Sequence, residues 1–106
     1  MTTYQPDPWA VLGDPTRRAI FQHLAERPRP VGELARDLPV SRPAVSQHLK
    51  VLKDAGLVKD QAVGNRRIYR VDRAGVEALR ADLERFWSSS LAAYKRIAEH
   101  QTEGDS

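Results

Sequence analysis

Cysteine is absent from all 106 residues. That excludes a disulfide framework, a thiol nucleophile, a redox switch and every thiolate metal site. No apolar run approaches the ~18 residues that a membrane-spanning helix needs, so no membrane partner is expected. The opening MTTYQPDPWAVLGD lacks a basic stretch followed by an apolar core. It does not read as a signal peptide, and the expected location is cytoplasmic. Gly-rich phosphate loops, H-E-x-x-H and G-x-S-x-G are all missing. Asp82 and Glu84 lie two apart in a helical stretch and point away from each other. The expectation is a protein that is not an enzyme and needs no cofactor. Repeats, low-complexity runs and Gly/Ser linkers are absent too, and the length fits one domain over residues 1–106. A chain this short buries only ~60–70% of its unfolded surface. Its core as a monomer is thin, which makes a partner copy worth seeking.

Hydrophobic residues make up 41% and charged residues 29%, the composition of an ordinary globule. The net charge of +3 is unevenly spread. Residues 14–73 hold 13 Lys/Arg against 7 Asp/Glu, and residues 74–106 hold 4 against 6. A basic middle faces a polyanion more readily than the acidic end does.

Proline pairs punctuate the chain, and the stretches between them have helical period. Asp14-Pro15 opens a helix, with Asp14 as N-cap and Pro15 at the first helical position. Its inner face is Ala19, Ile20, Phe21 and Leu24; Arg17, Arg18, Gln22 and Glu26 are expected to face out. Pro28 and Pro30 end it. A second helix runs from about Val31 to Leu38, stopped by Pro39. A third is capped by Ser41, carries Ala44, Val45, Leu49 and Leu52 inward, and closes at Asp54-Ala55-Gly56 with Gly56 left-handed. The pair over residues 31–56 has the pattern of a helix-turn-helix. Two strand-like runs follow over 57–71, LVKDQAV and RRIYRV. They are joined by Gly64-Asn65, a two-residue hairpin signal, and form a wing. The last element spans 73–100, capped by Asp72 and free of proline. Val76, Leu79, Leu83, Phe86, Ser90, Tyr94 and Ile97 recur along it at helical spacing, widened by Trp87, Leu91 and Ala98. So long an apolar stripe implies a second copy, with a patch of Trp9, Val11 and Leu12 adding to it. The predicted interface residues are Trp9, Leu12, Leu79, Leu83, Phe86, Trp87, Ser90, Leu91 and Tyr94. The expected fold is mainly α: a winged helix-turn-helix with a two-stranded β-wing and a long C-terminal dimerisation helix.

With Val45, Leu49 and Leu52 inward, Arg42, Pro43, Ser46, Gln47 and Lys50 face out on a helix that fits a major groove. Arg42 can pair with guanine and Gln47 with adenine, while Lys50 suits phosphate. Ser41 and His48 complete the set expected at DNA. Arg66 and Arg67 at the wing tip are the expected minor-groove or backbone contacts. The bland alternative for the wing is an edge strand that carries charge against aggregation. His23 reads as a packed histidine. His100 and Glu103 share a helical face at ligand spacing, but two ligands do not make a metal site, and none is expected.

The run from VLGDPTRRAIFQHLAERPRP to RRIYRVD, above all SRPAVSQHLKVLKDAGLV, resembles the ArsR family of bacterial winged helix-turn-helix repressors. The resemblance implies a homodimer of N-terminal and C-terminal helices that binds double-stranded DNA at a palindromic operator and represses transcription. Many relatives release DNA when an effector, often a metal, binds. The family's Cys-x-Cys site falls on Leu34 and Arg36. Its Asp-x-His pair falls on Trp87 and Ser89, ahead of the half-match His100-x-x-Glu103. The metal-sensing half of the pattern is therefore not met, and FWSSSLAAYK looks like a metal-independent branch. Two other functions remain open: a repressor that senses an organic ligand near Trp9, Phe86, Trp87 and Tyr94, and a winged-helix module that binds protein instead of DNA.

Overall fold

In the computed structural model the chain is described over residues 6–104, with side chains up to His100. Five helices and three short strands follow in the order α1 (Pro8–Val11), α2 (Pro15–Glu26), β1 (Arg29–Pro30), α3 (Val31–Asp37), α4 (Arg42–Asp54), β2 (Val58–Val63), β3 (Arg66–Val71) and α5 (Arg73–Gly104). They divide into one compact unit ending at Val76 and a second beginning at Glu77.

Side-chain caps set the helix starts in the first unit. The Asp14 carboxylate accepts from the N–H groups of Thr16 and Arg17 at 2.9 and 3.0 Å. Ser41 Oγ accepts from the N–H of Ala44 at 3.3 Å. Each satisfies donors that the first helical turn leaves without a partner. The end of α4 is fixed by Gly56 at φ +78°. The Leu57 N–H reaches the Leu52 carbonyl, and the Gly56 N–H reaches that of Lys53. That is a Schellman closure, and its usual hydrophobic contact is supplied by Leu52 and Leu57, both fully buried. Gly64, at φ +64°, turns β2 into β3 so that Val63 faces Arg66, as a primed two-residue turn requires.

The core of this unit draws on nearly all its elements: Val11, Ile20, Leu24, Leu34, Val45, Leu49, Leu52, Ala55, Leu57 and Val58 are buried. At roughly 25 cal/mol per Å² of apolar surface removed from water, these side chains are its main source of stability. Gly75, in the first turn of α5, lies against Gly56. A Cβ at residue 75 would overlap the Gly56 carbonyl oxygen, so the approach requires glycine there.

Three features depart from the sequence expectations. The wing hairpin belongs to a three-stranded antiparallel sheet of order β1-β3-β2. β1 pairs Arg29 with Tyr69 and Pro30 with Ile68. Two residues are too few to show a period, and Pro30 is tolerated because β1 is an edge strand. β3, rich in arginine, is therefore the central strand and not an edge. Arg17 does not simply face out: it is half-buried, and its Nε donates to the Val11 carbonyl at 3.0 Å. Arg29 is buried, with 4% of its side chain exposed, and lies 3.3 Å from Asp37 and 3.5 Å from Glu26. It ties α2, β1 and α3 together where the two prolines had signalled only a helix end.

The second unit is the body of α5 alone. Its polar face carries Arg80 within 3.4 Å of both Glu77 and Glu84, and an Arg85–Asp82 pair. Its other face is apolar and uncovered: Leu83, Phe86, Trp87, Leu91, Tyr94 and Ile97 are exposed, Phe86 to 64% and Tyr94 to 72%. Phe86 and Trp87 meet edge to face at 6.3 Å. No helix among the described residues is long and apolar enough to cross a membrane.

Candidate nucleic-acid interface

Helix α4 is amphipathic in the sense the sequence anticipates. Val45, Leu49 and Leu52 are fully buried, and Ser41, Arg42, Pro43, Ser46, Gln47 and Lys50 are exposed. The inner row fixes the rotation of the helix, so the outer row is presented as a set. His48 is half-buried. It lies close enough to Asp14 that its positive form helps hold that carboxyl below its ordinary value of 3.8, after the larger effect of the Arg17 N–H. His23, also half-buried, donates through Nδ1 to the Ala19 carbonyl at 2.8 Å.

Arg66 and Arg67 both stand exposed at the wing tip, but their surroundings differ. Arg67 reaches the Asp60 carboxylate at 2.6 Å, and Lys53, in the last turn of α4, reaches its other oxygen at 2.8 Å. The Asp60 side chain is only 6% exposed. The hydrogen bond from Lys53 is the main cause that lowers the Asp60 pKa below 3.8. Reciprocally, the hydrogen bond to Asp60 raises Lys53 above 10.5. Asp60 thus ties the last turn of α4 to the wing, a role no spacing in the sequence announces. Arg66 makes no such pair among the described residues.

Between α3, the start of α4 and the wing tip lies an open cleft of about 730 Å³, lined in part by Arg36, Arg42, Arg66 and Arg67. The expected interface residues are placed as follows. Trp9 is exposed and Leu12 half-buried. On α5, Leu79 and Ser90 are half-buried, and Leu83, Phe86, Trp87, Leu91 and Tyr94 are exposed.

A family model described as a helix-turn-helix domain matches residues 12–61. The HTH-type transcriptional regulator Rv2034 of Mycobacterium tuberculosis is 58% identical over 107 residues, covering 99% of this chain and 98% of the relative. The ArsR-like transcriptional regulator of Rhodococcus sp. RHA1 superposes with a TM-score of 0.71 at 39% identity, over 85% of this chain and 88% of that one. The chain belongs to the ArsR family of winged helix-turn-helix transcriptional regulators. A further structure, the homodimeric winged helix-turn-helix DNA-binding domain of Mb0332 from Mycobacterium bovis, described as a possible ArsR-family transcriptional regulator, has a TM-score of 0.63 at 27% identity. It covers 79% of this chain and 78% of that one.

Metals are effectors for many ArsR proteins, but the residues at the corresponding places here do not fit one. Leu34 is fully buried in the core, and Arg36 is a cation that repels a metal ion. Trp87 and Ser89 offer neither a carboxylate nor an imidazole. His100 is exposed, and the Glu103 side chain lies outside the described residues.

Proposed function

We propose that this ArsR-family chain is a homodimeric, sequence-specific DNA-binding repressor that acts without a metal effector, by binding and not by catalysis. The observation that carries this reading is the exposed polar face of α4, with Arg42, Ser46, Gln47 and Lys50 in one row, in the same compact unit as the unpaired Arg66 of the wing. Arg42 and Gln47 read base edges in the major groove, and Lys50 and the N-cap region around Ser41 meet phosphate. Arg66 follows the flanking backbone, whereas Arg67, held by Asp60, chiefly sets the wing's position. The uncovered apolar stripe of α5 supports dimerisation, since a patch of this kind rarely stays exposed on a soluble monomer. The dimer would present two copies of α4 to successive major grooves ~34–36 Å apart, which implies a palindromic operator. Occupying promoter DNA would exclude RNA polymerase. A single domain and a cytoplasmic location belong to the same reading.

The test is fluorescence anisotropy with the gene's own upstream duplex and a scrambled control at two salt concentrations. Tight binding to the upstream duplex alone, weakening steeply with salt, supports the proposal. Equal or absent binding to both duplexes overturns sequence-specific control of this promoter.

A further inference from the structure

Arg27, Arg29, Lys53, Arg67, Arg80 and Arg85 are paired with neighbouring carboxylates. Among the cations outside those pairs, three share the cleft between α3, the start of α4 and the wing tip. Arg36, Arg42 and Arg66 line it, all exposed, and none makes an ion pair or hydrogen bond among the described residues. The one carboxylate on its wall, Glu33, is paired with Arg27 at 3.1 Å. The fourth arginine, Arg67, is held by Asp60. Three unpaired guanidinium groups therefore line one open space, against a single carboxylate that is itself paired with Arg27. A guanidinium offers five donors in a planar fork that suits phosphate oxygens, and it stays charged at any working pH. Mutual repulsion of three such groups favours an anionic occupant.

We propose that this cleft is a phosphate-binding site whose occupant is a backbone phosphodiester of duplex DNA, and that Arg36, on α3 and outside both the reading helix and the wing, is a DNA-contacting residue. The inference rests on the DNA-binding reading above and extends its surface to a third element. The duplex is favoured over a free phosphate because two walls of the cleft are continuous with the proposed contacts: Arg42 opens α4, and Asn65-Arg66 form the wing tip. One strand's backbone leaving the major groove towards the wing would pass the cleft. The contact carries no base information, so it orients the protein without choosing the sequence.

Arg36→Ala, Arg36→Lys and the unaltered protein would be titrated onto a fluorescein-labelled mixed-sequence duplex over a series of salt concentrations. Thermal melting monitors the fold; an exposed side chain free of partners should leave it unchanged. Arg36→Ala is expected to reduce the salt slope by about one for each protomer engaged, with roughly five- to tenfold weaker binding per protomer near 0.1 M salt. Upstream and scrambled duplexes should lose equally. Arg36→Lys, which keeps the charge, should retain most of the slope. A slope unchanged in Arg36→Ala, while the unaltered protein still binds duplex, overturns the site and leaves DNA binding standing. No duplex binding by the unaltered protein overturns both. In a second arm, inorganic pyrophosphate is added and the Arg36 Nε–H signal is followed by NMR. If pyrophosphate shifts that signal although the duplex slope is insensitive to Arg36, the duplex is overturned as the occupant in favour of a free phosphate.

Discussion

In the proposed complex, Gln47 and Asp60 would divide the work of recognition between single side chains. Gln47 is exposed on α4 and is proposed to hold adenine through two hydrogen bonds. Gln47→Ala is expected to reduce discrimination between the operator and single-base variants by about 1–3 kcal/mol, with little change in binding to scrambled DNA. Competition titrations with a panel of operator variants measure it; undiminished discrimination would remove Gln47 from the reading set. Asp60 touches no base in this scheme but holds Lys53 and Arg67. Its carboxyl is depressed below 3.8, so its contribution to stability is complete above that value and is lost as pH falls through the depressed pKa. Lys53 is raised above 10.5, so its share is complete below that value and is lost as pH rises through the raised pKa. Asp60→Asn should flatten both limbs of the stability–pH curve in denaturant titrations. The acid limb should flatten only in part, because Asp14 is lowered as well. The released Arg67 and Lys53 should also strengthen binding to scrambled DNA and weaken the preference for the operator.

At the level of elements, glycines and caps decide where each helix and turn can lie. Gly75→Ala would drive a methyl group into the Gly56 carbonyl, and backbone can yield only by shifting. A loss of about 1–3 kcal/mol in unfolding free energy is expected, as for other overpacked sites, measurable by urea denaturation. An unchanged midpoint would show that the contact is loose. These local devices also explain what was legible in the sequence. Asp14-Pro15, Ser41, Gly56, Gly64-Asn65 and Asp72 each have side-chain or backbone chemistry that acts within a few residues, so α2, α4, the wing and the start of α5 could be read directly. α1, at four residues, and β1, at two, are too short for any period. β1 exists because it finds β3 some forty residues later, and the burial of Arg29 is fixed by Glu26 and Asp37 converging from different elements. The outward row of α4 was visible because the inward row was. The pairing of Asp60 with Lys53, and the place of Arg36 on the cleft wall, depend on tertiary neighbours and have no sequence signature.

For the whole molecule, the polar face of α5 contributes little to its order. Exposed ion pairs such as Arg80–Glu84 give about 0.3–0.5 kcal/mol each. The apolar face has far more to gain from burial, and in one chain it is uncovered. If α5 forms the proposed dimer, Leu91→Glu is expected to convert it to a monomer in sedimentation velocity while helicity of the first unit persists. With its two half-sites no longer linked, operator affinity should fall about a hundredfold or more. A Leu91→Glu protein that stayed dimeric would place the interface elsewhere.

The small β1–β3 pairing has a consequence for modularity. Arg29 and Tyr69 lie side by side, so the chain leaves β1, runs through α3, α4 and β2, and returns to where it left. The excursion is a closed loop with its ends fastened by the sheet, and the salt bridges of Arg29 hold its start to α2 and α3. Such a loop is expected to be exchangeable as a cassette. Residues 31–65 of a relative, inserted between the same two strands with Leu34, Val45, Leu49, Leu52, Ala55, Leu57 and Val58 kept as the inward row, would carry that relative's DNA preference into this chain if the proposed reading helix holds. The choice of dimer partner would remain with α5. On the proposed reading, one sheet of three short strands would let the operator and the partner diverge independently.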